Sequence, residues 1–202
     1  MALGRITGVT GPLAAKANRL IGLLQPLCPV VVAFSGGVDS SLLLAAAREA
    51  CGEAVLALTA SSATFPRREL EAAKQVAALV GARHLIIKTH EVDDPAFAAN
   101  PLDRCYHCKR ELFLKIRQLA SAEGARTLIE GSTLDDLGDF RPGERASREL
   151  GILSPLRQAS LAKADVRALA RAIGLPNWNK PAAACLASRF PYGTKIDKGS
   201  LR

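Results

Sequence analysis

The sequence predicts an α/β fold: a doubly wound, mainly parallel sheet with helices on both faces. Short, continuous apolar runs alternate along the chain with longer segments whose apolar residues recur at helical spacing. Such alternation requires crossover connections, which place helices over a parallel sheet. The composition agrees, because 49% of the residues are hydrophobic, 23% are charged and only 4% are aromatic. Those values are typical of a globular protein, and the scarcity of aromatics favours an interior of helix packed on sheet.

The first third of the chain predicts a helix, a strand and a second helix. Leucines at positions 13, 20, 23 and 24 provide one face of a leading helix within residues 1–25. The run VVVAF, which begins at Val30, suits a strand that is covered on both faces. The segment SSLLLAAAREA then places Leu42, Leu43 and Ala46 near helical spacing.

Two more strands follow, with a helix between them. AVLALT, residues 54–59, and HLIIK, residues 84–88, are short apolar runs. Between them, Pro66 opens a helical pattern that ends at Gly81. We expect ligands at the carboxyl ends of these parallel strands, as in other sheets of this kind.

The second half of the chain completes the alternation and then changes character. Residues 110–122 predict a helix, and TLIE, residues 127–130, predicts a fourth strand before a Gly- and Asp-rich loop. A further helix is capped by Gly174, and an irregular, Pro-rich tail follows it. We therefore assign residues 1–155 to a nucleotide-binding domain and residues 156–202 to the start of a second, apparently truncated region.

Charge and hydropathy exclude several classes of protein. The net charge is +8, but the basic residues are scattered, so the pattern favours a surface that attracts phosphorylated or carboxylated small molecules over nonspecific nucleic-acid binding. No apolar run reaches the roughly 18 residues that a membrane span needs. The amino terminus lacks the apolar stretch of a secretory signal. We expect a cytoplasmic protein without membrane contact.

Five cysteines are present, and an odd number in a cytoplasmic chain argues against a disulfide framework. Cys28 and Cys51 have apolar or helix-end surroundings and are predicted to be inert core thiols. Cys105, Cys108 and Cys185 remain to be explained.

The strongest motif is SGGVDS, residues 35–40, between the first strand and its helix. The glycines Gly36 and Gly37 let the backbone approach a ligand, while Ser35, Ser40 and the free N–H groups of the helix start form an anion cradle. Asp39 would repel phosphates unless it holds Mg²⁺. A Walker loop is absent, and the alternative interpretation is a tight turn whose polar residues serve only as caps.

SGGVDS resembles the fingerprint of the PP-loop ATP pyrophosphatases, which cleave ATP between the α- and β-phosphates and adenylate a substrate. The resemblance implies ATP and Mg²⁺ as cofactors. Leu58, Thr59 and Ser61, at the end of the second strand, then suit adenine binding through backbone groups. Gly131 and Ser132 follow the fourth strand and would face the nucleotide.

Carboxylates cluster just beyond, at Asp135, Asp136 and Asp139. Three acids in one loop can simply be solvated. Their place at the carboxyl edge of a parallel sheet favours metal or substrate binding instead, and we expect Asp135 and Asp136 to join Asp39 as magnesium ligands.

Several blocks together resemble the LarE family of ATP-dependent sulfur transferases: NPLDRCYHCKREL, GSTLDDLGDFRPG, SPLRQASLAKADVRALARAIGLPNWNKPA and ACLASRFPYGTKI. This resemblance implies that a carboxylate of pyridinium-3,5-dicarboxylate mononucleotide is adenylated and then converted to a thiocarboxylate, for the nickel-pincer nucleotide cofactor. Cys185 matches the sulfur-donating cysteine, which becomes dehydroalanine in the sacrificial version. Arg189 would lower the pKa of that thiol or hold phosphate.

A second branch of the family carries an iron–sulfur cluster on three cysteines, which implies that Cys105, Cys108 and Cys185 hold a four-iron cluster with one open iron. Three alternatives stay open. Zinc would need His84 or His90 to complete a set with Cys185, a redox pair would need a different fold pattern, and the two close cysteines can be coincidental thiols on a helix.

Family members usually continue past the point that matches GSLR at the end of this chain, which puts the complete substrate site and the expected homo-oligomer in question. Two other functions compete with sulfur transfer to a nucleotide. One is another PP-loop activity, such as amide formation or, less favoured, tRNA thiolation. The other is a nucleotide-binding module without catalysis.

Overall fold

The computed structural model describes residues 3–125, 127–138 and 141–201. Four parallel strands form one sheet in the order β3-β2-β1-β4. The strands are β1 (Val30–Ala33), β2 (Val55–Ser61), β3 (Arg83–Lys88) and β4 (Thr127–Ile129). The chain adds β2 and β3 on one side of β1 and returns to add β4 on the other side. The predicted doubly wound parallel sheet is therefore confirmed.

Eight α-helices connect or cover these strands in the described part of the chain. They are α1 (Ala14–Leu24), α2 (Val38–Cys51), α3 (Arg67–Val80), α4 (Pro95–Ala98), α5 (Arg104–Ala122), α6 (Gly143–Glu149), α7 (Pro155–Gln158) and α8 (Lys163–Ala172). Pro66 precedes α3, and Gly81 ends it in the left-handed conformation with φ 71°, as the sequence predicts.

The pleat of β1 divides the interior into two layers. Val30 and Val32 face a large cluster that contains buried residues of α1, α2, α3 and α8. Val31 faces the opposite side, where Phe113 and Ile116 of α5 pack with α6. Because successive strand residues point to opposite faces, a continuously apolar strand such as β1 requires helices on both sides.

Residues beyond position 155 pack into the same core as the first part of the chain. Leu156, Leu161 and Val166 are completely buried among residues of α1 and α2. The last segment contributes to a smaller cluster in which Ala187 and Ile196 meet the region of α4. The boundary between residues 155 and 156 stays a prediction from the sequence.

Two local features differ from the sequence predictions. Helix α5 begins at Arg104 rather than at residue 110, so both cysteines of the CxxC motif lie in its first turns. The short helices α4, α6 and α7 were not predicted, because segments of this length carry too little periodicity.

The prediction that Cys28 and Cys51 are free thiols was wrong, since the two form a disulfide. Their Cα atoms lie 5.6 Å apart although the residues are separated by 23 positions. The crossover from β1 through α2 brings the end of the helix back beside the start of the strand, a proximity that residue types and spacing do not reveal. No helix in the described residues has the length and apolar content to cross a membrane.

Candidate functional site

A pocket of about 340 Å³ opens at the carboxyl edge of the sheet, between the loops that follow β1 and β4. The helices after these two neighbouring strands cross opposite faces of the sheet, and such a switch point is where α/β sheets bind ligands. Most of the predicted nucleotide-binding residues line this pocket: Ser35, Gly37, Asp39, Ser40, Leu58, Thr59, Gly131 and Ser132.

The loop after β1 is held in shape by its own serines. The backbone N–H of Ser35 donates to Oγ of Ser40 at 3.3 Å, and Oγ of Ser40 donates to the carbonyl oxygen of Gly37 at 3.1 Å. Gly37 is the N-cap of α2 and has no side chain to satisfy the first helical N–H groups. Those groups and the positive end of the helix dipole are therefore available to an anion.

Two glycines allow close packing around this loop. Gly36 has φ 73°, and a Cβ there would lie 2.8 Å from Cβ of Ala73 on α3. A Cβ on Gly131 would lie 2.9 Å from the backbone nitrogen of Ser40. Gly36 thus supports the loop from behind, outside the pocket lining, whereas Gly131 brings the end of β4 against it.

Asp39 has the properties of a magnesium ligand. Its Oδ2 is paired with Nζ of Lys163, while its Oδ1 is buried and has no hydrogen-bond partner within the described ranges. A buried carboxylate oxygen without a donor is costly, so it marks a place where a cation fits. Mg²⁺ commonly takes one or two protein carboxylates together with phosphate oxygens, and Asp39 beside the phosphate loop matches that donor set.

The other predicted magnesium ligands are occupied by protein donors. Asp136 accepts the backbone N–H of Thr133 at 2.6 Å on Oδ2 and pairs with Arg141 at 2.8 Å on Oδ1. Asp135 is exposed and accepts the backbone N–H of Lys163 at 2.6 Å. Asp136 lines the pocket and Asp135 does not. Their role as metal ligands stays a prediction, and Asp139 lies outside the described residues.

The end of β2 supplies a backbone edge suited to adenine. The N–H of Phe34 donates to the carbonyl of Leu58, and the N–H of Thr89 donates to the carbonyl of Ser61. Alternate residues of a strand direct their backbone groups to opposite neighbours, so the backbone groups of Ala60, like those of Leu58, point to the side of β1. Strand β1 has already ended at Ala33, before it reaches the level of Ala60. Ala60 lines the pocket, and the sequence prediction missed it.

The side chain of Thr59 forms hydrogen bonds within the protein and does not offer its hydroxyl to a ligand. Its Oγ1 donates to the carbonyl oxygen of Phe34 at 2.7 Å and accepts from Nε2 of His84, also at 2.7 Å. Burial, with the Lys74 ammonium as a smaller cause, lowers the pKa of His84, so the ring is neutral at pH 7. Thr59 therefore stiffens the pocket floor.

Cys185 lies on the wall of the same pocket as the phosphate loop. It is solvent-exposed and directly precedes a 3₁₀ turn, Leu186–Arg189, whose Ala187 is completely buried. The backbone N–H of Leu186 donates to the carbonyl of Thr64 at 2.9 Å, which fixes the segment against the loop after β2. Arg189 is exposed and does not line the pocket, so its predicted role stays a prediction.

Cys108 also lines the pocket, whereas Cys105 lies on the exposed side of α5. Burial raises the pKa of the Cys108 thiol well above its usual value, and the Glu91 carboxylate and the Cys185 and Cys105 thiolates raise it further. This mutual influence indicates that the three thiols are neighbours.

The three cysteines do not form a metal site with one another or with neighbouring histidines and carboxylates that the structure describes. Within residues 3–125, 127–138 and 141–201, no group of three or more His, Cys, Asp or Glu side chains is placed to hold a metal ion. His84 and His90, the partners considered for zinc, do not line the pocket. The donors are therefore of the right type for an iron–sulfur cluster but not in its geometry, and no reaction step is derived through one.

Further polar residues belong to the site and its surroundings, and of these the sequence indicated only Lys109, which follows the CxxC motif. Lys109 Nζ pairs with Oε2 of the buried Glu130 at 2.8 Å, and both residues line the pocket. Nδ2 of Asn177 donates to the carbonyl of Gly36 at 3.0 Å. Glu130 and Asn177 lie 21 and 141 positions from their partners, and no motif in the sequence indicates these contacts.

Fold and phosphate loop together define an ATP-using protein of the PP-loop class. Residues 29–100 match the family model described as queuosine biosynthesis protein QueC. The NMN synthetase from Francisella tularensis superposes with a TM-score of 0.66 at 18% identity, covering 87% of this chain and 76% of that one. At that identity the likeness shows the fold alone.

Two relatives are closer in sequence. The pyridinium-3,5-bisthiocarboxylic acid mononucleotide synthase of Lactiplantibacillus plantarum is 37% identical over 190 residues, which are 94% of this chain and 69% of that protein. An uncharacterized protein of Synechocystis sp. is 41% identical over 190 residues, 94% of this chain and 71% of the relative. The chain belongs to the LarE family.

Proposed function

We propose that this protein is an ATP-dependent sulfurtransferase that adenylates a carboxylate of pyridinium-3,5-dicarboxylate mononucleotide and converts it to a thiocarboxylate. The observation that carries the proposal is that Cys185 and the phosphate loop line one pocket. A thiol that takes over an acyl group from an adenylate must reach the carbon bonded to the α-phosphate oxygen. A shared pocket provides that proximity.

In the first step the residues of this chain hold ATP and orient its α-phosphorus. The N–H groups at the start of α2 bind phosphate oxygens, and the backbone of Ala60 pairs with adenine. Bound Mg²⁺ would be held by Asp39 and would neutralise phosphate charge. Lys163, which lies beside Asp39, supplies a second positive charge at the phosphates. A substrate carboxylate oxygen bonds to the α-phosphorus as the bond to pyrophosphate breaks.

In the second step sulfur replaces AMP. The Cys185 sulfur attacks the acyl carbon, the carbon–oxygen bond to AMP breaks, and a thioester forms. Loss of the Cys185 α-proton then cleaves the bond between Cβ and sulfur, leaving a thiocarboxylate on the product and dehydroalanine in the chain. A cytoplasmic setting and a homo-oligomeric assembly stay predictions from the sequence.

The test is an anaerobic single-turnover reaction with ATP, Mg²⁺ and the mononucleotide precursor. We expect AMP and pyrophosphate to appear only with the precursor, together with a thiocarboxylate product. Intact-protein mass then identifies the sulfur source: loss of one H₂S from Cys185 indicates sacrifice, and unchanged mass with product indicates another sulfur donor.

Matched variants separate the two steps. Cys185→Ser should still release pyrophosphate, which leaves in the first step, but form no thiocarboxylate. Cys105→Ser, at an exposed position outside the pocket lining, should form both pyrophosphate and thiocarboxylate under sacrifice. Absence of precursor-dependent AMP from the unmodified protein contradicts the proposal. Release of AMP with tRNA in place of the precursor would assign the protein to RNA thiolation instead.

A further inference from the structure

Glu91 is a buried carboxylate that the mechanism above does not use. It lies in the 3₁₀ turn Glu91–Asp93 after β3, and it is only 2% exposed. Its Oε1 accepts hydrogen bonds from the hydroxyls of Ser62 and Thr64, each at 2.5 Å. Charged acceptors give short, strong hydrogen bonds. The side chain is therefore fixed in one orientation.

The second oxygen of this carboxylate is unpartnered. Oε2 of Glu91 is buried and has no hydrogen-bond partner among the residues that the structure describes. Glu91 lines the pocket that Cys108 and Cys185 also line. A buried carboxylate oxygen without a donor is disfavoured. The site thus calls for a positively charged or hydrogen-bonding group that arrives with a ligand.

The positively charged side chains of the pocket are paired with other carboxylates and do not neutralise Glu91. Lys109 is paired with Glu130, and Arg141 is paired with Asp136. The pocket lining also includes the apolar side chains of Leu112, Phe113 and Phe65. An aromatic ring that carries a positive charge matches both properties, because its face packs on apolar groups while its charge pairs with the carboxylate.

Glu91 is also tied to the reacting cysteine. Thr64 donates its hydroxyl to Glu91, and the carbonyl of the same Thr64 accepts the N–H of Leu186, the residue after Cys185. A ring bound at Glu91 would thus lie on the same short loop that fixes Cys185. A carboxyl group attached directly to that ring would then lie in the pocket that Cys185 lines.

We propose that Glu91 is the counter-ion for the cationic ring of the second substrate and makes the pocket select positively charged nitrogen heteroaromatics over neutral rings of the same shape. This inference rests on the proposed function, since it assigns a specificity residue to the same pocket. Glu91 is a binding residue here and takes no part in proton transfer.

The test compares two small probes that differ only in ring charge. N-Methylpyridinium-3,5-dicarboxylate and 5-methylisophthalate have the same shape and the same two carboxylates. Calorimetric binding is measured with Mg²⁺ and a non-hydrolysable ATP analogue present. We expect the unmodified protein to bind the cationic probe more tightly, on the order of tenfold. Glu91→Gln should remove this preference while leaving affinity for the ATP analogue unchanged.

Two control variants identify a merely structural effect. Glu111→Gln removes a carboxylate that is already paired with Lys115, and it should keep the preference. Thr64→Val weakens the loop but leaves the Glu91 charge, so it should lower the affinity for both probes equally. A Thr64→Val protein that loses the charge preference would assign Glu91 to loop structure alone.

The outcomes separate this inference from the proposed function. Equal binding of the two probes by the unmodified protein, or a preference that survives in a folded Glu91→Gln variant, overturns the inference alone. If the ATP analogue binds but neither probe nor the mononucleotide precursor does, the proposed substrate is wrong and the inference falls with it.

Discussion

Asn177 and Gly36 are joined by a hydrogen bond across 141 positions of the chain, from Nδ2 to the carbonyl oxygen at 3.0 Å. The same Nδ2 donates to Oγ of Ser41 at 2.9 Å. The segment after α8 is thereby attached to the phosphate loop, and Arg167 holds that segment through the carbonyl oxygens of Trp178 and Lys180. The loop conformation thus depends on residues from the far end of the described chain.

Asn177→Ala should weaken ATP binding, because both hydrogen bonds to the loop region are lost. We expect an increase in the dissociation constant on the order of tenfold, since each net hydrogen bond contributes about 1 kcal/mol. Asn179→Ala is the matched control, as Asn179 is exposed two positions further on. Titration with a fluorescent ATP analogue measures the change. Equal affinity in the two variants would show that the loop keeps its shape unaided.

Lys163→Ala should slow adenylation by roughly 10²-fold, because a positive charge at the developing pyrophosphate is lost. Pyrophosphate release during a single turnover measures this rate. Lys16→Ala is the control, since Lys16 also forms a lysine–aspartate pair, with Asp165, but neither of these residues lines the pocket. An adenylation rate that is unchanged in Lys163→Ala would limit Lys163 to a structural pair with Asp39.

Gly131→Ala should reduce ATP affinity, on the order of tenfold, because the added Cβ would lie 2.9 Å from the nitrogen of Ser40 and displace the phosphate loop. Gly22→Ala serves as its counterpart on α1, where nothing lies within 4 Å of the added Cβ. That variant should leave ATP binding intact and raise the free energy of unfolding by about 0.5–1 kcal/mol. Nucleotide titration and urea unfolding of both variants test the pair, and similar affinities would contradict the crowding argument.

Asp165 should make stability depend on pH in the acid range. Its hydrogen bond with Lys16 holds the pKa of the carboxyl below its usual value, and the backbone N–H of Ala162 adds to the effect. A carboxyl whose pKa is lower in the folded state stabilises the fold above its unfolded pKa, about 3.9, and this stabilisation is lost as pH falls through the folded pKa.

Asp165→Asn should therefore lower the free energy of unfolding at pH 7 by about 1 kcal/mol, because the negative charge that pairs with Lys16 near the amino terminus of α8 is lost. The variant should also lose less stability than the unmodified protein on acidification below about pH 4. Urea unfolding at a series of pH values measures both effects. Parallel acid profiles for the two proteins would assign the pH dependence to other carboxyls.

The sheet and its phosphate loop were predictable because their signals are local. The apolar run at β1 and the glycines of SGGVDS act over a few residues, and the structure places that strand, turn and helix where the sequence predicts. Short helices such as α6 escaped prediction, since too few residues are present to show a helical period. The early start of α5 was missed because the apolar spacing becomes regular only after the cysteines.

By itself, the sequence determined the order of the strands and of the longer helices, the anion-binding loop and the family resemblance, because each of these depends on contiguous residues. The tertiary structure alone decided which distant groups meet. It paired Cys28 with Cys51, brought Asn177 to Gly36, and set Cys185 and Glu91 on the wall of one pocket. The physical reason is that crossover connections and long loops place residues according to how whole layers pack, and spacing along the chain carries no record of that packing.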